Sequence, residues 1–371
     1  MTADATPDAI ERRHAPEASA PWLFSRELDA ALLVVPYLVA LVAFVASGLS
    51  LSGGLPRAYA AWGSQFVLGN TTHVILTFLL LGARRDLLHA APGQARTIIV
   101  GASLTWGVAF GSYYALDRYA PTLMDLFLAF VITLASHHTF SQSKGIWSLY
   151  AMRAPAPPSP SERTMQQRYV PVALILVMVR WLFVAAGPGK VFPFIGAVPG
   201  LEAPLPYAVT FVLAAAWGFF AVASVRAAAG DAPFYAQAKS RYVAASALAV
   251  LVMIVVPPWG SVIASGMHGI EYFLLTRRML RPFPGEETPV GPRVVVPAML
   301  VAIAPLLVVG MTTAPFSPRP GRLATLAMFA MNAVVLAHYF ADAFTYRFRI
   351  PSVRKNALAR LGFGPPLAPK G

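Results

Sequence analysis

The chain has no cysteine among its 371 residues. Disulfides, thiolate metal ligands, iron–sulfur clusters and cysteine nucleophiles are all excluded by that absence. Charge is scarce too: only 12% of residues are charged, against roughly a quarter in soluble domains, which excludes an ordinary soluble protein. Acids are the scarcer sign, with 16 Asp and Glu against 29 Lys and Arg. The resulting net charge of +13 does not imply nucleic acid. The basic residues fall in short loops between apolar runs, and orientation in a membrane accounts for them. The polar stretch from Met1 to about Glu27 also lacks the basic, apolar, small-residue order of a cleaved signal peptide.

Apolar residues make up 57% of the chain, in runs close to the ~20 residues that cross a bilayer. The sequence reads as an all-α, polytopic integral membrane bundle of about ten transmembrane helices. The expected spans are 29–50, 59–82, 97–117, 121–142, 168–187, 204–226, 241–257, 259–280, 294–313 and 323–347. Pro257-Pro258-Trp259-Gly260 breaks the seventh from the eighth and makes them a tight hairpin. Loop charge tests the count independently. Arg84, Arg85 and Arg96 follow the second span, Lys144, Arg153 and Arg163 the fourth, Lys239 and Arg241 the sixth, and Arg277, Arg278 and Arg281 the eighth. The intervening loops hold little more than Arg57, Arg118 and Lys190, with Arg319 and Arg322 before the last span. The positive-inside rule then places both termini in the cytoplasm, as for a bacterial-type inner membrane protein.

One membrane domain, 29–347, is expected between a polar tail, 1–28, and a basic tail, 348–371, that reads as surface-lying or disordered. A proline-rich cytoplasmic connector covers about 154–167, and Lys190–Leu205 reads as an outer re-entrant or interfacial segment. No internal repeat and no second folded domain is apparent.

Against this apolar background the seven histidines are conspicuous. His73, His137 with His138, His268 and His338 fall on the second, fourth, eighth and tenth spans, which share one direction. His73 lies 11 residues before Arg84, and His268 and His338 each lie nine before Arg277 and Arg347. At about 1.5 Å per residue these three sit roughly 14–17 Å from the inner charged boundary. The apolar run Gly145–Met152 continues the fourth helix toward Arg153, which brings His137 and His138 to a similar depth. A single histidine in lipid reads equally well as a packing residue. Four spans that present one at the same level read as a shared metal or cofactor site.

Carboxylates accompany them. Glu271 stands at i+3 from His268 and Asp342 at i+4 from His338, so each pair shares a helix face. Such an acid either ligates a metal or holds the other ring N–H of a ligating histidine. His137 and His138 point about 100° apart, and Gln142, at i+4 from His138, favours His138 as the inward member. His89 reads as a headgroup-level residue and His14 as part of the polar tail. Arg180, alone in the fifth span, reads as the partner of a buried acid such as Asp125 or Glu271, or as a contact for a substrate headgroup. Tyr272 and Tyr339 adjoin the histidines and are candidate lining for an apolar pocket, together with Gln142.

In order, the motifs are Asn70-Thr71-Thr72-His73, His137-His138-Thr139-Phe140-Ser141-Gln142, Met267-His268-Gly269-Ile270-Glu271-Tyr272-Phe273, and Ala337-His338 followed by Asp342 and Arg347. This order resembles the bacterial Brp/Blh family of membrane dioxygenases that cleave β-carotene to retinal. The resemblance covers four short stretches. Tyr272 stands where the family has a second histidine, and the family's Pro-His-Gly is absent around His73. It implies a non-haem iron held by histidines on separate helices.

The expected function is a membrane metalloenzyme with Fe(II), or alternatively zinc or copper, held by His73, His138 or His137, His268 and His338. Glu271 and Asp342 serve as ligands or their supports. Imidazole ligation without cysteine suits a ferrous centre open to O₂. The partners would be membrane lipids and an apolar lipid or isoprenoid substrate, oxidised after lateral entry. Two rivals use the same residues. One is a proton-coupled transporter with a His, Glu and Asp relay, and the other a b-type haem protein with two axial histidines. The paired HxxHH boxes of ordinary membrane desaturases are absent.

Overall fold

The computed structural model describes residues 22–46, 70–89, 91–154, 156–182, 204–280, 322–345 and 351–363. These residues form helices and turns, with no strand among them. In chain order the helices are α1 (Arg26–Ala46), α2 (Asn70–Ala83), α3 (Gln94–Tyr119), α4 (Met124–Arg153), α5 (Pro160–Arg180), α6 (Leu205–Ala229), α7 (Ala238–Val255), α8 (Pro257–Met279), α9 (Arg322–Thr345) and α10 (Pro351–Arg360). A single helical turn, Arg85–Leu88, lies between α2 and α3.

Six of these helices are long and apolar enough to cross a membrane: α1, α3, α4, α6, α7 and α9. The apolar part of α2 is shorter. α8 falls below that apolarity because it carries His268, Glu271, Arg277 and Arg278. Its position explains the composition: it packs against α1, α2, α4 and α7, so protein rather than lipid surrounds it. α5 falls short because its first turns, Pro160 to Arg168, are polar. The expected ninth span, 294–313, and residues 59–69 of the expected second span lie outside the described residues.

One expected boundary is corrected. The proline-rich connector ends sooner than 167, because α5 begins at Pro160. Ser159 is its N-cap and accepts the Glu162 backbone N–H at 3.1 Å, with Pro160 in the first helical position. In the basic tail, Pro351–Arg360 is helical rather than disordered. α10 packs under the bundle with Ala357 and Leu361 buried, and Arg360 pairs with Asp86 at 2.7 Å.

α4 runs unbroken to Arg153, through Lys144 and the apolar run after it. The break between α7 and α8 lies at Val256, with Pro257 and Pro258 opening the second helix. There a Cβ on Gly260 would collide with the backbone of Met253, so only glycine lets the two helices approach so closely. α3 and α9 are held by another glycine. A Cβ at Gly101 would collide with the Phe340 ring.

Candidate metal centre

His73, in the first turn of α2, is 3% exposed. His268 and His338 are buried as deeply, on α8 and α9. The Nε2 of His73 lies 2.9 Å from that of His268 and 3.1 Å from that of His338. His138 on α4 completes the group, with its ring centroid 4.8 Å from His268 and 5.2 Å from His338. One ligand nitrogen from each of the four lies within 4.8 Å of the others.

This convergence has a chemical meaning. A neutral imidazole nitrogen carries either one proton or one lone pair. His73 Nε2 can donate at most one proton, yet it faces two other ring nitrogens. A cation shared by the lone pairs satisfies all of them. Two metal–nitrogen bonds of ~2.1 Å at roughly tetrahedral or right angles place their nitrogens ~3.0–3.4 Å apart, close to the spacings found. His138 Nε2 is buried without a hydrogen-bond partner, which leaves its lone pair for the same cation. The four residues therefore fit a metal ion of the kind imidazole prefers, iron, zinc, copper or nickel. A haem fits poorly, because its disc must lie between two axial nitrogens and a third imidazole already occupies that region.

Neither carboxylate holds the ring N–H of the histidine on its own helix. Glu271 and Asp342 were expected to ligate or to hold the ring N–H of His268 and His338 on their own helices. Instead the Nδ1 atoms of both histidines are buried without a hydrogen-bond partner. Glu271 accepts the Tyr242 hydroxyl at 2.6 Å and the Gln142 amide at 2.9 Å. Gln142 also donates to the His268 carbonyl at 3.0 Å, so it ties α4 to α8 beside the centre. Asp342 accepts from Thr77 at 2.8 Å and from Tyr272 at 2.9 Å through Oδ1. Its Oδ2 is 3.7 Å from His138 Nε2 and has no hydrogen-bond partner. Asp342 thus approaches the histidine of a different helix.

A cavity of about 780 Å³ adjoins the centre, between α3, α4 and α9. Its walls are apolar for the most part, including Leu104, Val108, Phe130, Leu134 and Phe340, and His138, Gln142 and Asp342 open onto it. Tyr339 lines it as expected and stacks on the His138 ring, with centroids 4.3 Å apart. Tyr272 is not a lining residue: it is fully buried and braces Asp342. Arg180 is elsewhere. Its Nε donates to the Ile254 carbonyl at 2.7 Å, near the end of α7, and Glu271 has other partners. The side chain of Asp125 lies outside the described set.

Of the histidine pair on α4, His138 joins the cluster, while His137 is exposed and lines the cavity. His89 is exposed and turns back to the Arg85 carbonyl at 2.9 Å. Two supporting residues had no reading in sequence. Thr77 stands at i+4 from His73, a spacing that marks it in retrospect. Tyr242 comes from α7, which has no histidine to draw attention to it. No family model matches the chain, and neither the curated proteins nor the solved structures contain a match to it.

Proposed function

We propose that the chain is an integral membrane metalloenzyme that holds one iron ion with His73, His138, His268 and His338 and oxidises an apolar lipid or isoprenoid. The observation that carries this reading is the meeting of four imidazoles from four helices, within 4.8 Å of one another, at the wall of a largely apolar cavity. The Brp/Blh resemblance supports iron over zinc and copper, and a polyene or isoprenoid chain as substrate.

When bound, ferrous iron with imidazole ligands and open positions supplies O₂ binding and one-electron chemistry. The chain's own residues do the rest. His73, His268 and His338 approach from the buried side, and His138 from the cavity side. Thr77 and Tyr272 fix the Asp342 carboxylate beside His138. Gln142 and Tyr242 fix Glu271 on α8, so the helix carrying His268 is tied to both α4 and α7. Phe130, Leu134 and Phe340 keep water from the reacting region and accept an apolar molecule.

Metal analysis and a visible spectrum of the purified protein test the reading together. Near-stoichiometric iron without a Soret band is the expected result. Zinc alone would keep the site and remove the oxidative chemistry, and a Soret band would replace the reading with haem. No metal, in protein whose histidines are intact, would turn the cluster into a protonation relay and favour the proton-coupled carrier.

A further inference from the structure

His137 is unaccounted for by the metal centre. It lies in a membrane-spanning helix, where an ionisable side chain is costly. It is exposed to the cavity, and among the described residues no hydrogen bond or ion pair engages it. The wall it shares is largely apolar, with Leu104, Val108, Phe130 and Leu134, and the polar residues on that wall, Thr105 and Ser112 of α3 among them, make no hydrogen bond to it among the described residues. Ser141, one turn further along α4, lines the same cavity. A serine hydroxyl can return to its own helix backbone; the His137 imidazole makes no such bond among the described residues. A polar group facing an apolar cavity is satisfied only by something that enters it.

We propose that His137 is a specificity-determining residue that hydrogen-bonds a hydroxyl group on an otherwise apolar ligand. The ligand class is a long-chain or isoprenoid alcohol. A neutral imidazole both donates and accepts, as an alcohol does, so the pair forms without bringing charge into a low-dielectric cavity. A plain hydrocarbon leaves His137 unpaired, which a site of this kind penalises. Because His137 adjoins His138 in sequence, holding the hydroxyl there fixes which stretch of the ligand lies beside His138 and Asp342. The inference rests on the cavity taking an apolar molecule and not on which metal the cluster holds.

The test is displacement of diphenylhexatriene from the detergent-solubilised protein by geranylgeraniol and by the hydrocarbon of the same skeleton. The ratio of the two affinities is compared between wild type, His137→Phe and His137→Gln, so partition into detergent cancels. His137→Phe should lower the preference for the alcohol about tenfold, the effect of one hydrogen bond. His137→Gln, which keeps a donor and an acceptor, should stay within about threefold of wild type. Metal content should be unchanged in both variants. An unchanged ratio in His137→Phe overturns the proposal while leaving the cavity reading intact. Failure of both ligands to displace the probe from wild type overturns the two together. Loss of metal from His137→Phe would assign the residue to the metal centre instead.

Discussion

At His73 one ring nitrogen faces two others at about hydrogen-bond distance, a geometry that a shared cation would satisfy and a single proton would not. The rings come from α2, α4, α8 and α9, so no local interaction brings them together. His268→Ala and His338→Ala should each strip the metal, measured by elemental analysis after purification, whereas His89→Ala should retain it. Asp342→Asn should weaken metal binding by ~10-fold or more, because it removes the negative charge from a carboxylate whose unpartnered Oδ2 lies 3.7 Å from His138 Nε2, the nitrogen that faces the cation. Competition with a chelator measures this, and an unchanged affinity would reduce Asp342 to a packing role. The histidines were legible in sequence because each is expensive where it stands, and their shared depth followed from the distance to the loop charges. The carboxylates' partners were not legible. Spacings of i+3 and i+4 show which groups share a helix face, but Tyr242 and Thr77 reach Glu271 and Asp342 from other helices.

Among the described residues, helices α3 and α9 make the most extensive contact, and Gly101 lets Phe340 lie flush against α3. Phe340 also lines the cavity, so the same contact sets the cavity's width. Gly101→Ala should push the ring into the cavity at a cost of about 1–3 kcal/mol from overpacking. The expected signature is weaker binding of an apolar probe with metal content intact, and the double variant Gly101→Ala, Phe340→Leu should recover binding. Loss of metal instead would mean that α9 had moved as a whole, carrying His338 with it. Helix extents were largely readable from apolar runs, and the α7–α8 break from its prolines. The start of α5 was not, because Pro160–Arg168 is polar and only the cap formed by Ser159 and Glu162 marks a helix there. α10 escaped for a similar reason: its sequence is basic, and what folds it onto the bundle is Ala357 and Leu361 meeting the ends of distant helices.

The basic segments that loop charge assigns to one side of the membrane are bonded together at one end of the molecule. Arg360 of α10 pairs with Asp86 from the turn after α2. Arg153 at the end of α4 and Arg278 at the end of α8 both donate to the Leu361 carbonyl, at 3.3 and 3.0 Å. Arg278 also donates to the Phe24 carbonyl at 2.9 Å, which brings the segment before α1 to the same end. Lys239, opening α7, meets Glu162 of α5 at 2.8 Å. These contacts play no part in counting charges, so they support the alternation of loops from an independent direction. Which side of the membrane this end faces follows from the positive-inside rule alone, and the absence of cysteine makes it directly measurable. Single cysteines at Thr122, Asp231 and Ser352, all exposed, report the α3–α4 turn, the α6–α7 turn and α10. On intact cells a membrane-impermeant maleimide should label Thr122→Cys only, and after lysis it should label all three. The opposite pattern would invert the protein in the membrane. Labelling of Thr122→Cys together with either of the others would break the two-sided arrangement on which the common depth of the histidines was argued.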